Sequence, residues 1–79
     1  MHKITDSERK IYAYMLRNRG RALYDGELAI QVWGVNKFPN SWRNQIAQHV
    51  CNLRQNLSAQ NRKNILTIKG VGYMSKLFS

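Results

Sequence analysis

Asn44, Gln48 and Gln55 recur at spacings of four and seven, with Cys51 between them, and Gln45 and Asn52 each stand one residue further on from Asn44 and Cys51. At about 100° per residue an α-helix gathers the first set onto one face and lays Gln45 and Asn52 along its edge. A side-chain amide carries donor and acceptor on one small plane without charge. That chemistry suits the edges of base pairs: Asn and Gln pair bidentately with N6 and N7 of adenine in the major groove, each good pair being worth about 1–3 kcal/mol of discrimination. A merely solvated helix face usually mixes Glu with Lys, which are good helix formers that pair one turn apart. Here the face has no acid, and Asn44, Asn52 and Asn56 are weak helix formers, so something other than helix stability selected it.

Cations surround this face. The chain has 79 residues and a formal net charge of +9. All four acids, Asp6, Glu8, Asp25 and Glu27, fall in the first 27 residues beside six Lys and Arg, while residues 28–79 hold seven Lys and Arg and no acid. The second half is therefore the anion-binding half. Charge alone fits anionic lipid or an acidic protein as well as nucleic acid, so the amide pattern decides. Arg43, Arg54, Arg62, Lys63 and Lys69 are the expected phosphate contacts, and His49, on the flank of the same helix, can donate to phosphate.

Other chemistries find no support. His2, His49 and Cys51 share no ligand spacing, so no metal or other cofactor is expected. No acid pairs with His49, no Ser or Cys has an evident base, and 79 residues leave little room for an enzyme cleft beside a core. The expectation is a non-enzyme. A single cysteine excludes an internal disulfide and fits a reducing bacterial cytoplasm or nucleoid; no apolar run approaches a membrane span.

The elements that must position the amide face are short. Thr5, Asp6, Ser7 and Glu8 have the form of a capping box and open a first helix over about 6–18, with Ile11, Tyr12, Met15 and Leu16 inward and Gly20 ending it. Residues 21–24 form an extended link. Asp25 is placed to cap a second helix over 26–33, whose Leu28, Ala29, Val32 and Trp33 share a face; Gly34 stops it, and residues 35–39 form a loop ending at Pro39. Asn40 or Ser41 caps a third helix over 41–57, with Ile46, Val50, Leu53 and Leu57 as its buried stripe. Residues 58–64 make a polar connection. Residues 65–78 form a hairpin around Gly70 and Gly72, and His2 to Ile4 add at most a small strand. The expected fold is mostly α with a small β-hairpin, three helices plus a C-terminal wing in one domain over 1–79. That is a winged helix-turn-helix.

The ordered signatures Thr5 to Glu8, Glu27-Leu28, Val32-Trp33-Gly34, the helix ending His49 to Leu57, and above all Ile68-Lys69-Gly70-Val71-Gly72-Tyr73 resemble the effector domain of OmpR/PhoB-type bacterial response regulators. The resemblance implies a domain that binds promoter DNA, with the third helix as recognition helix, Thr67 and Lys69 reaching DNA from the wing around Gly70 and Tyr73, and the loop Gly34 to Asn40, including Val35, Asn36, Lys37 and Phe38, touching RNA polymerase. Against the family pattern, the preceding receiver domain and the N-terminal four-stranded sheet are not seen, which implies a free-standing version. Cys51 and Asn52 stand where paired arginines are common, and Ala47 where an acid is common.

The expected function is sequence-specific binding of double-stranded DNA by a transcriptional regulator, with Arg43, Asn44, Gln45, Gln48, His49, Asn52, Arg54, Gln55, Thr67, Lys69, Gly70 and Tyr73 at the DNA. It is expected as a monomer off DNA or a weak head-to-tail dimer on it. The alternative is a winged-helix adaptor, encoded by a phage or mobile element, that binds host RNA polymerase or another regulator by protein–protein contact. Ile30, Phe38 and Trp42 are the apolar residues left for such a contact, although Phe38 and Trp42 also suit a loop closing over the third helix.

Overall fold

The first helix starts where two backbone donors find side-chain acceptors. In the computed structural model, which describes residues 4–77, Thr5 Oγ1 accepts the Glu8 N–H at 3.2 Å and Glu8 Oε1 accepts the Thr5 N–H at 3.2 Å. This capping box opens α1 (Asp6–Arg17), which has acids in its first turn and Arg17 in its last, in keeping with the helix dipole. Ile11 and Met15 are its fully buried residues, whereas Tyr12 and Leu16 are half-buried. Asn18 caps the end. Gly20 follows at a φ of 83°, and its N–H donates to the Ser75 carbonyl at 2.8 Å.

Residues 23–24 are a strand rather than only an extended link. β1 (Leu23–Tyr24) pairs antiparallel with a C-terminal strand, Leu23 opposite Tyr73 and Tyr24 opposite Gly72. Leu23 is fully buried, so one residue both joins the sheet and anchors it in the helical core. At Gly72 any β-carbon would collide with the Leu23 carbonyl oxygen and come within 3.2 Å of the Asp25 nitrogen. The close approach of the two strands depends on a residue without a side chain.

The second helix, α2 (Asp25–Trp33), begins one residue earlier than expected, and Asp25 lies inside it instead of capping it. Glu27 supplies the cap: its Oε2 accepts the Tyr24 N–H at 3.0 Å. Its other oxygen accepts from the Tyr14 hydroxyl at 3.0 Å and from Arg21 Nη2 at 2.9 Å, which ties α1 to the start of α2. Partial burial pushes the Glu27 carboxyl upward, but the donors from Tyr24, Arg21 and Tyr14 and the Arg21 charge outweigh it and leave the group below the usual carboxylate range. Gly34 ends α2 at a φ of 86°, its N–H bonded to the Ile30 carbonyl at 2.9 Å.

After the loop, α3 (Trp42–Asn56) follows, with Ser41 at its N-cap; the Ser41 hydroxyl accepts from Gln45 Nε2 at 3.1 Å, and makes no side-chain bond to the helix backbone. Ile46, Val50 and Leu53 are fully buried or nearly so, and Leu57 is half-buried. The polar connection contains a short helix that its composition did not announce, α4 (Ala59–Arg62), capped by Ser58 Oγ, which accepts the Asn61 N–H at 3.2 Å. Arg62 turns back to donate to the carbonyls of Arg54 at 2.7 Å, Leu57 at 3.3 Å and Gln55 at 3.4 Å, adding side-chain donors at the end of α3, where the Arg54 carbonyl also accepts the Leu57 backbone N–H at 3.4 Å.

β2 (Ile65–Ile68) and β3 (Gly72–Ser75) form the hairpin, with Ile65 opposite Ser75 and Ile68 opposite Gly72. The return strand stops at Ser75, short of the expected 78, and Phe78 lies outside the described residues. Of the small strand expected over residues 2–4, His2 and Lys3 are also outside the described residues, and Ile4 is not in a strand. The antiparallel sheet has the order β1-β3-β2. Ile65 and Leu23 carry it into the core formed by Ile11, Met15, Leu28, Ala29, Ile46, Val50 and Leu53. Each of the larger aliphatic side chains buried there contributes about 2 kcal/mol.

A polar strut sets the hairpin against α3. Arg54 Nη2 donates to Thr67 Oγ1 at 2.7 Å, and the guanidinium carbon lies 5.7 Å from the Tyr73 ring centre.

Two outcomes follow from these contacts. Because the folded-state carboxyl of Glu27 titrates below its unfolded value of about 4.3, its contribution is complete above that pH and is lost as pH falls through the lower folded value. Glu27→Gln is expected to lower stability at pH 7 and to flatten its acid-side decline in urea titrations between about pH 5 and 3; parallel declines would reject the linkage. Arg54→Ala is expected to cost about 1–2 kcal/mol and to speed amide exchange in the hairpin while α1 keeps its protection. Unchanged hairpin exchange would argue against the strut.

Candidate nucleic-acid interface

The side of α3 opposite its core stripe is open. Asn44, Gln48, Cys51 and Gln55 are exposed in a row, joined by Ala47, while Gln45 and Asn52 are half-buried along one edge. Part of the amide chemistry is already paired within the helix: Gln48 Nε2 donates to Asn52 Oδ1 at 3.0 Å, and Gln55 Nε2 approaches Cys51 Sγ at 3.8 Å. The fifteen residues of α3 span about 22 Å, enough to lie along a groove.

The other candidate residues divide by the side they face. Arg43 is exposed, its guanidinium carbon 5.0 Å from the Trp42 ring centre, at the start of α3. Arg54 is half-buried on the wing side and bonded to Thr67, and its Nε is buried without a hydrogen-bond partner. His49 is half-buried on the other flank, its ring 6.3 Å from that of Trp33, and so belongs to the contact with α2 more than to the amide row. Arg62, expected among the phosphate contacts, is committed to the carbonyls at the end of α3, while Lys63 is exposed.

Thr67, Lys69 and Gly70 are exposed on the wing. Gly70 turns the hairpin at a φ of 80°, open space surrounds the position a β-carbon would take, and the Val71 N–H closes the turn on the Ile68 carbonyl at 3.0 Å. Burial first, then the Asp25 charge, raise the Tyr73 phenol against the opposing effect of Arg54, so it remains protonated at neutral pH. Between wing and helices runs a groove lined by Tyr24, Gly26, Trp42, Arg43, Lys69 and Gly70, among others. Tyr24, 61% exposed, and Trp42 were not among the site residues expected. Tyr24 reaches the groove through β1, which carries no periodic signal, but the lone aromatic beside Arg43 could have suggested Trp42.

The loop between α2 and α3 is a separate surface. Val35, Asn36 and Lys37 are exposed, and Asn36 has a φ of 64°. Phe38 is half-buried, with ring centres 5.0 Å from Trp42 and 6.3 Å from Trp33, so these aromatics close the loop over α3 as the simpler expectation held. Ile30, Val35, Asn36 and Phe38 line a shallow hollow beside it. Among the described residues no helix is long and apolar enough to cross a membrane, and no group of His, Cys, Asp and Glu could hold a metal ion.

Comparison with known proteins agrees with this geometry. The family described as "Transcriptional regulatory protein, C terminal" matches residues 2–75. The sensory transduction protein RegX3 of Mycobacterium leprae (strain TN) is 36% identical over 62 residues, an alignment covering 76% of this chain and 30% of that protein. The chain therefore spans less than a third of the relative's length. With helices, a three-stranded sheet and an open third-helix face arranged as a winged helix-turn-helix, and with the family match running through nearly all of it, this chain belongs to the OmpR/PhoB-type DNA-binding domains of transcriptional regulators, a family of DNA-binding domains and not of enzymes.

Proposed function

We propose that this chain regulates transcription by sequence-specific binding of duplex DNA, with α3 in the major groove and the β2–β3 hairpin as a wing on the adjacent backbone or minor groove. The observation that carries it is the exposed, uncharged row Asn44, Gln48, Cys51 and Gln55 on a helix flanked by Arg43 at its start and Lys69 on the wing. Charge there is peripheral and hydrogen-bonding capacity central, which suits base reading inside a frame of phosphate contacts. Gln45 and Asn52 sit at the edge of the row, His49 lies beyond them toward α2, and Arg54, Thr67, Gly70 and Tyr73 serve the wing side of the same surface. The site of action is the bacterial cytoplasm, and the chain is a monomer that pairs head to tail only on tandem DNA sites.

Selection from random duplexes tests the reading. One adenine-containing motif is expected, and the double variant Gln48→Ala, Asn52→Ala should select a different or flatter motif; an unaltered motif would exclude α3 as the reader. Lys69→Ala should instead weaken all sequences alike and reduce the slope of log affinity against log salt by about 0.9, the value for one phosphate no longer neutralised.

A second surface supports a polymerase contact. Val35 is 63% exposed and Ile30 41% exposed beside Lys37, and the residues lining this apolar hollow are distinct from the α3 amide row and the wing. Val35→Asp is expected to abolish retention of bacterial RNA polymerase by the immobilised, nuclease-treated protein without altering DNA affinity. Retention that persists would remove the loop from consideration, and polymerase binding without any DNA affinity would favour an adaptor over an operator-binding regulator.

A further inference from the structure

We propose that Gln48 is the residue that reads an adenine and that Asn52 is a positioning residue, holding the Gln48 amide in the orientation that adenine requires. This rests on the DNA-binding reading above and assigns roles within it. The Gln48 Nε2 to Asn52 Oδ1 bond, at 3.0 Å, uses one of the two N–H groups of Gln48. In the proposed arrangement Asn52 takes the N–H on the Cγ side of the amide, which leaves the carbonyl oxygen and the N–H beside it as the edge that accepts from N6 and donates to N7 of adenine.

Burial separates the two roles. Gln48 is exposed and Asn52 half-buried at the margin of the row, so the outer amide meets the groove and the inner one supports it. The neighbouring amides do not combine exposure with such an anchor: Gln45 is held by the Ser41 hydroxyl but is half-buried, and Gln55 is exposed but has the Cys51 sulfur, a weak acceptor, at 3.8 Å. Without an acceptor behind it, the Gln48 amide can turn over and exchange its carbonyl and amino groups. Turned over, it no longer matches N6 and N7, and adenine loses its advantage.

The test uses the whole chain, the duplex it selects, and the same duplex with the adenine pair at the Gln48 position replaced. Wild-type protein is expected to prefer the first about tenfold or more. Gln48→Ala should abolish the preference, Asn52→Leu should abolish it at the same base pair, and the double variant should be no less selective than either single one. Asn52→Asp is the conservative rescue: its carboxylate still accepts from Gln48 but repels phosphate, so both duplexes should bind more weakly while the preference survives. Loss of selectivity at a different base pair in Asn52→Leu would make Asn52 a reader in its own right and overturn the assignment. So would a selected motif without adenine there, or loss of preference in Asn52→Asp, both leaving DNA recognition intact. A chain that enriches no duplex at all would overturn the DNA reading itself, and this assignment with it.

Discussion

The backbone pairing of Leu23 and Tyr24 with Tyr73 and Gly72 is the constraint on which the arrangement depends. It joins the link between α1 and α2 to the C-terminal hairpin, makes β3 the central strand, and carries the fully buried Leu23 into the core. α2 begins immediately after it, so the strand fixes where that helix starts as well as where the wing stands. An isolated two-stranded hairpin is marginally stable in water; a third strand and a hydrophobic anchor change that. Gly72 permits the approach because the space a β-carbon would fill holds the Leu23 carbonyl. The wing is thereby built as an extension of the helical core.

On that frame α3 has two unlike sides. Its inner side is aliphatic and buried, and needs no partner beyond packing. Its outer side is amide-rich and uncharged, so removing water from it on contact carries a smaller penalty than desolvating a row of cations. In the proposed binding mode long-range attraction comes from elsewhere on the surface, from the exposed Arg43, Lys63 and Lys69, and acts before the amides are in range. Arg54 lies between these roles, its charge shared between Thr67 and the Tyr73 ring, and so stiffens the junction of helix and wing.

Much of this was legible in the sequence because it depends on local chemistry. The Thr5–Glu8 capping box, the stop at Gly34, the inward stripe of α3 and the turn at Gly70 are set by residues within a few positions of one another, and each appears where the spacing placed it. What escaped depends on partners distant in the chain. β1 has two residues and no period; only Gly72, nearly fifty positions later, makes it a strand. Asp25 looked like a cap, but Glu27, already oriented by Arg21 and Tyr14, takes the donor instead. α4 has good helix formers in Ala59, Gln60 and Arg62 but only four residues, too few to show a period; Ser58 caps it and Arg62 binds back onto α3. The amide row was readable as a face, whereas the division between Gln48 and its neighbours required the hydrogen bonds.

The return of Arg62 onto the last carbonyls of α3 has an electrostatic consequence. A helix ends in the equivalent of roughly half a negative charge, which on a DNA-facing helix would oppose the phosphates at that end. The guanidinium offsets it where it arises. In the proposed binding mode α3 therefore meets the polyanion without a repulsive pole, and a cation that adds to the net charge shapes the potential along the helix.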